Sequence, residues 1–362
     1  MNANTKKLHD LGQSLWVDNI SREMLASGTL ARLIHESSVT GLTSNPTIFE
    51  KAMSQGNDYD ESIARLAREG RSTEDLFFAL AIEDLRQAAD LFKPVHEATR
   101  GVDGWVSLEV SPKLRDDTNA SVLAAASLHA QAGRKNVYIK IPGTPAGLPA
   151  IEEAIFRGVP INVTLLFSRE HYLATADAYM RGIERRLNDG KSPVVESVAS
   201  LFVSRWDAAI ADKVPSQLHN RLGIAVAQRT YKAYRECLAS GRWRKLAAAG
   251  AHPQRLLWAS TGTKDPAASP TLYVQALAAP DTVDTLPEKT LQAFAESGKV
   301  DAPMAEDGAD AEVVLDAFRH EGVDIDALAE RLQKDGGDAF VKSWNELLGG
   351  LQAKVDKLKR AG

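Results

Sequence analysis

Apolar residues along the chain fall into short alternating or continuous runs, separated by longer stretches with helical spacing. Seven runs read as strands: 14–20 (SLWVDNI), 37–46 (SSVTGLTSNP), 104–112 (GWVSLEVSP), 136–144 (NVYIKIPGT), 160–168 (PINVTLLFS), 192–205 (SPVVESVASLFVSR) and 254–262 (QRLLWASTG). An eighth, 281–289 (DTVDTLPEK), is less marked. Helices are predicted between them, over 73–92 with Thr73 as N-cap and acids in the first turn, over 119–133, and over 169–190 ending at Asn188 and Gly190. No two-residue Asn-Gly or Asp-Gly turn joins two strands, so strand, helix, strand is the repeating unit and pairing should be parallel. Eight such strands make a barrel count, although an open doubly wound sheet also fits the pattern. The usual dinucleotide fingerprint of an open sheet, G-x-G-x-x-G, is missing, as is G-x-x-x-x-G-K-[ST].

From about residue 300 the pattern changes to helices punctuated by Gly and Asp. Phe340, Trp344, Leu347, Leu348, Leu351, Val355 and Leu358 recur at steps of three and four and form one apolar stripe. A stripe of under about three heptads is short for a coiled coil with a second subunit, so it should pack on the barrel. The expected organisation is one barrel domain over 1–362, with roughly 300–362 as C-terminal helical decoration.

Composition narrows the class. With 362 residues, 44% hydrophobic, the chain has apolar material for one large core, which excludes disorder and fibre. The net charge of −5 is spread along the sequence, which argues against nucleic-acid and anionic-membrane binding. No apolar run reaches about 18 residues, and the opening MNANTKKLHDLGQ lacks the apolar core of a signal peptide, so a soluble cytoplasmic protein is expected. The single cysteine, Cys237, lies in a charged helical stretch with no histidine close in sequence, and reads as a packed thiol.

Successive strand side chains point to opposite faces, and in a barrel one face meets helices while the other fills the lumen. Val106, Leu108 and Val110 share a face, which turns Ser107 and Glu109 the other way. Val137, Ile139 and Ile141 oppose Tyr138 and Lys140; Ile161, Val163 and Leu165 oppose Asn162 and Thr164; Leu15 and Val17 oppose Asp18. Glu109, Lys140, Asn162, Thr164 and Asp18 should therefore face one lumen. The charges stand late in their strands, near Pro112 and Pro142, at the C-terminal rim where barrel enzymes keep their chemistry. A structural ion pair of Lys140 with Glu109 or Asp18 is the alternative, but buried ion pairs contribute poorly to stability.

An ammonium walled in by a barrel loses hydration and yields its proton more easily, leaving a neutral amine that attacks carbonyls. The Schiff base so formed is an electron sink for breaking an adjacent carbon–carbon bond. Two carboxylates are then needed: Glu109, on the next strand to Lys140, suits the proton transfers of carbinolamine dehydration, and Asp18 suits removal of the proton from the hydroxyl whose carbon departs. Competing chemistries lack their residues. No H-E-x-x-H follows from His35, His96 or His320, no G-x-S-x-G occurs, and PGTPAGLP (142–149) reads as a strand-to-helix turn rather than a phosphate loop.

The strings LWVDNI, VTGLTSNPTIF, SLEVSP, NVYIKIPGT, INVTLLFS and TLPEKT, in this order, resemble the transaldolase family in its longer bacterial form, from about residue 8 to the C-terminus. The resemblance implies a class I aldolase, a parallel (β/α)8 TIM barrel with additional C-terminal helices, that uses no metal or organic cofactor. It implies transfer of a dihydroxyacetone unit in the pentose phosphate pathway, from sedoheptulose 7-phosphate or fructose 6-phosphate to glyceraldehyde 3-phosphate or erythrose 4-phosphate. Lys140 would be the Schiff-base former, Asp18 the acid/base, and Glu109 would act through a water with Thr164. Asn45 and Asn162 would hold substrate hydroxyls, Ser200 the dihydroxyacetone part, Phe202 would stand near the site, and Arg205 would bind phosphate. Where shorter family members carry a second phosphate-binding arginine this chain has Gly262, and Lys264 is the nearest cation. The partners expected are small sugar phosphates, with no nucleic acid or membrane, on a monomer or homodimer. An aldolase releasing free dihydroxyacetone and a non-catalytic sugar-phosphate-binding barrel are the alternatives.

Overall fold

The structure, a computed structural model, describes residues 1–54, 56–300 and 302–361. Eight strands, β1 (Ser14–Asp18), β2 (Val39–Thr43), β3 (Trp105–Glu109), β4 (Val137–Pro142), β5 (Ile161–Leu166), β6 (Ser197–Phe202), β7 (Arg255–Ala259) and β8 (Thr282–Leu286), pair in chain order. All neighbours are parallel and β8 closes on β1, so the barrel reading holds over the open sheet, and the weak run at 281–289 is a true strand.

The parity of the strands follows the sequence pattern. Leu15, Val17, Val106, Leu108, Val137, Ile139, Ile141, Ile161 and Val163 belong to the outer core, under the helices. Trp16, Trp105, Tyr138, Val198, Leu257 and Val283 fill the lumen. Burying these side chains, at roughly 1.5–3 kcal/mol each, is what closes the sheet on itself. One position departs: Leu165, expected outward, belongs to the lumen-side cluster, and Leu166 takes its place in the outer core. Leu165 has φ +58°, in the left-handed region, and the β5–β6 register shifts between Val163 and Leu166, so an irregular residue inverts the alternation there.

Below the site the lumen is plugged. Trp105 stacks on Tyr138 with ring centroids 4.1 Å apart, and Trp16 lies against Gly41, where a Cβ would meet its indole nitrogen at 2.6 Å. Trp16 Nε1 donates to Asp103 Oδ1 (3.1 Å), and the Arg255 guanidinium pairs with the same carboxylate (3.2 Å) and donates to Ser14 Oγ (2.6 Å). This floor fills the lumen beneath the C-terminal ends of the strands.

Two helix boundaries differ from expectation. The helix predicted over 73–92 runs from Thr73 to Ala98, and its N-cap is Ser72, whose Oγ accepts from the Asp75 N–H at 3.1 Å. Pro94 does not end it, because the proline falls on the exposed side in a late turn. The helices Thr118–Ala132 and Arg169–Asn188 match closely, the first stopped by Gly133 at φ +59°.

The last helix, Ile325–Ala361, crosses the barrel mouth and then runs down its flank. Trp344, Leu347, Leu351 and Val355 are buried, and the Trp344 ring stands edge-on to Phe77 at 4.9 Å, so the stripe packs on the barrel as expected. Among the described residues no helix is long and apolar enough to cross a membrane.

Candidate active site

The C-terminal ends of β1, β2, β4, β5, β6, β7 and β8 surround a cavity of about 160 Å³. Asp18, Asn45, Lys140, Asn162, Thr164, Ser200, Phe202, Arg205 and Lys264 all line it, and Glu109 stands immediately beside Lys140. Every candidate residue is thus brought to one place, because β-strand alternation turns them to the lumen and the turns that follow β6 and β7 lean over it.

Glu109 is the register partner of Lys140, which is in turn the partner of Asn162, so the three form one row across β3, β4 and β5. Lys140 Nζ donates to the Ser44 carbonyl at 2.7 Å and stands 3.6 Å from Glu109 Oε2. The two side chains are only 8% and 7% exposed, which removes them from bulk water while leaving the amine on the cavity wall. Glu109 Oε2 and Thr164 Oγ1 are buried and have no hydrogen-bond partner among the described residues. Burial pushes the Glu109 carboxyl above the ordinary glutamate range, with the Lys140 charge pulling it part of the way back.

Asp18 Oδ1 accepts from Thr43 Oγ1 at 2.6 Å, and Thr43 meets Thr285 Oγ1, also at 2.6 Å. Burial raises the Asp18 pKa, against the opposing pull of Thr43, Lys140 and Lys264, so this carboxylate is a stronger base than an exposed aspartate. Asn162 donates to Ser107 Oγ (3.3 Å) and accepts from Ser200 Oγ (2.7 Å), which fixes its amide orientation. Asn45 spends its carbonyl oxygen capping the helix Pro46–Ser54, accepting from the Ile48 N–H at 3.0 Å.

At the outer end of the cavity Arg205 and Lys264 have no carboxylate within ion-pair distance among the described residues. Arg205 is half-buried, and burial lowers its pKa from the ordinary arginine value. A desolvated, unpaired guanidinium is a ready partner for an anion.

Strand parity misses Thr43 and Thr285: the β1–β2 register shifts between Leu15 and Trp16, so Val39 and Leu42 both lie in the outer core despite opposite parity, and in β8 the apolar Val283 shares a face with Thr285. Ser44, whose carbonyl holds the amine, and Phe340, which reaches the cavity from the last helix, carry no sequence signal for such a place. A larger cavity, about 960 Å³, opens at the opposite end of the barrel beside His96, His129 and Glu196. It contains none of the candidate residues, and Glu196 and Arg134 there are already paired with His252 and Asp90. Among the described residues no three His, Cys, Asp or Glu side chains gather so as to hold a metal ion.

Comparison with known proteins identifies the family. Residues 15–351 match the model of the family described as transaldolase/fructose-6-phosphate aldolase. A transaldolase of Saccharopolyspora erythraea is 44% identical over 365 residues, covering 99% of each chain. One of Thermobifida fusca is 45% identical over 96% of this chain and 97% of its own, and transaldolase 2 of Streptomyces coelicolor is 42% identical over 98% and 97%.

Proposed function

The chain belongs to the transaldolase/fructose-6-phosphate aldolase family, and from that premise we propose how its cavity carries out the transaldolase reaction. The protein is an enzyme, a transferase that moves a dihydroxyacetone unit between sugar phosphates of the pentose phosphate pathway. The observation that carries the mechanism is Lys140: a water-shielded amine on the cavity wall, 3.6 Å from a carboxyl that burial inclines to hold a proton.

Lys140 Nζ attacks the C2 carbonyl of the donor ketose, forming a carbinolamine. Glu109, with Thr164 and a water, delivers a proton to the C2 hydroxyl, which leaves as water and gives the protonated Schiff base. Asp18 then removes the proton of the C4 hydroxyl. The C3–C4 bond breaks, its electron pair flows into the iminium, and an aldehyde departs while the enamine stays on Lys140. The acceptor aldehyde takes the enamine carbon, its oxygen receives the proton from Asp18, and hydrolysis of the new Schiff base frees the product ketose. Asn45, Asn162 and Ser200 hold substrate hydroxyls, and Arg205 with Lys264 hold the phosphate. Lysine at 264 supplies charge without a bidentate fork, so Arg205 bears most of the phosphate recognition.

Barrel and C-terminal helices form one domain in this reading, and the enzyme works in the cytoplasm, where phosphorylated sugars are retained, as a monomer or homodimer. Transfer is separated from simple aldol cleavage by incubating the enzyme with fructose 6-phosphate, with and without erythrose 4-phosphate. Sedoheptulose 7-phosphate with little free dihydroxyacetone is expected; rapid dihydroxyacetone release regardless of acceptor would make the enzyme an aldolase.

A further inference from the structure

Arg205 follows β6 at the start of the helix Ser204–Ile210, yet its surroundings come largely from the far end of the sequence. Its guanidinium carbon lies 5.2 Å from the centroid of the Phe202 ring and 5.8 Å from that of Phe340, which belongs to the C-terminal helix. The two rings are themselves 6.4 Å apart, and Phe340 lines the cavity. One turn earlier on the same helix is Gly336. A Cβ there would stand 3.0 Å from Arg205 Nη1 and 3.0 Å from Leu165 Cδ2, so the glycine leaves the space the guanidinium needs.

The helix is firmly seated over that spot. Gln333 Nε2 donates to the Gly143 and Leu165 carbonyls at 3.1 and 3.0 Å, and Arg115 pairs with Asp338 at 2.7 Å. An arginine usually has its fork fixed by a carboxylate; here two aromatic rings and a glycine do it. A guanidinium held by aromatic rings rather than by a carboxylate keeps its charge uncompensated and available to an anion.

We propose that the C-terminal helix sets the preference for phosphorylated substrates, with Gly336 and Phe340 acting as positioning residues that hold the Arg205 fork at the cavity mouth. This rests on the reading of Arg205 as the phosphate-binding group. Neither residue needs to touch the reacting carbons. Selectivity for phosphate would then be written partly outside the barrel that performs the chemistry.

The test compares kcat/KM for glyceraldehyde 3-phosphate and for glyceraldehyde as acceptors, in wild type, Arg205→Ala, Gly336→Ala, Phe340→Ala and the doubles of the last two with Arg205→Ala. Phosphate selectivity, the ratio of the two values, is expected to fall about five-fold in Gly336→Ala and Phe340→Ala, and to fall no further when either is added to Arg205→Ala. Phe340→Trp should keep most of the ratio. Alanine is a better helix former than glycine, so Gly336→Ala should not weaken the helix itself, and a loss of selectivity at an undiminished melting temperature excludes simple unfolding. If Arg205→Ala loses selectivity while Gly336→Ala and Phe340→Ala keep it, the helix has no such role. If Arg205→Ala itself keeps selectivity, the phosphate assignment of Arg205 falls, and the role of the helix with it.

Discussion

Glu109 and Lys140 are register partners on adjacent strands, and their carboxyl and amino groups stand 3.6 Å apart with almost no access to water. That spacing is loose for an ion pair built for stability, and the Lys140 ammonium spends its short contact on the Ser44 carbonyl instead.

Glu109→Gln keeps the shape and removes the proton. Schiff-base formation should slow by roughly 10²–10⁴-fold, the range for losing one general acid–base group. Stopped-flow mixing with fructose 6-phosphate followed by rapid reduction measures that step. Formation at the wild-type rate would remove Glu109 from the dehydration.

A second buried acid gives a stability prediction with a definite sign. Asp284 on β8 alternates with the lumen-facing Val283 and Thr285, so it points into the helix layer, where it is fully buried. Burial pushes its carboxyl up to about 8, with the Thr261 hydroxyl opposing. The folded protein therefore holds a proton that an unfolded chain, near the ordinary value of 3.8, has already lost. Stability from this group is fully present below pH 4 and is lost as the pH rises through about 8. Asp284→Asn should become steadily more stable relative to wild type from pH 4 to 8, with a constant difference above. A difference that does not change with pH would show that Asp284 ionises in the folded state as it does in the unfolded chain.

Gln333 closes two carbonyls at the ends of the catalytic strands, one of them on the left-handed Leu165 next to Thr164. Gln333→Met leaves both without that donor in a buried place. Urea unfolding should show a loss of about 1–3 kcal/mol. Unchanged stability would mean that the helix is held by its Trp344 and Leu347 contacts alone.

Much of this was legible in the sequence because a closed parallel barrel obeys a period of two. Lys140 and Asn162 declare their inward direction through the apolar residues on either side of them, Asp18 through the alternation of Leu15 and Val17 before it, and Pro142 marks the end of the strand that carries Lys140. The rule failed at Leu165, where a backbone in the left-handed region inverts the alternation, an event that leucine itself does not announce. Ser72 rather than Thr73 caps its helix: the two neighbours share the same capping chemistry, and only the backbone geometry chooses between them. The floor of Ser14, Asp103 and Arg255 joins residues 89 and 152 or more positions apart, a distance no local pattern spans. Phe340 read as one member of a packing stripe, yet the helix passes over the cavity mouth before it descends the flank. The same period of residues therefore serves two surfaces, with Phe340 at the cavity and Trp344 against Phe77.

The role of Lys140 is tested most directly by trapping. Borohydride added during turnover of fructose 6-phosphate reduces a Schiff base to a stable secondary amine, which intact mass and peptide mapping then locate. A dihydroxyacetone-sized adduct on Lys140, absent from Lys140→Ala, is the expected result and establishes both the nucleophile and the carbon–carbon cleavage. An adduct on another lysine, or near-normal turnover by a folded Lys140→Ala protein, would contradict it.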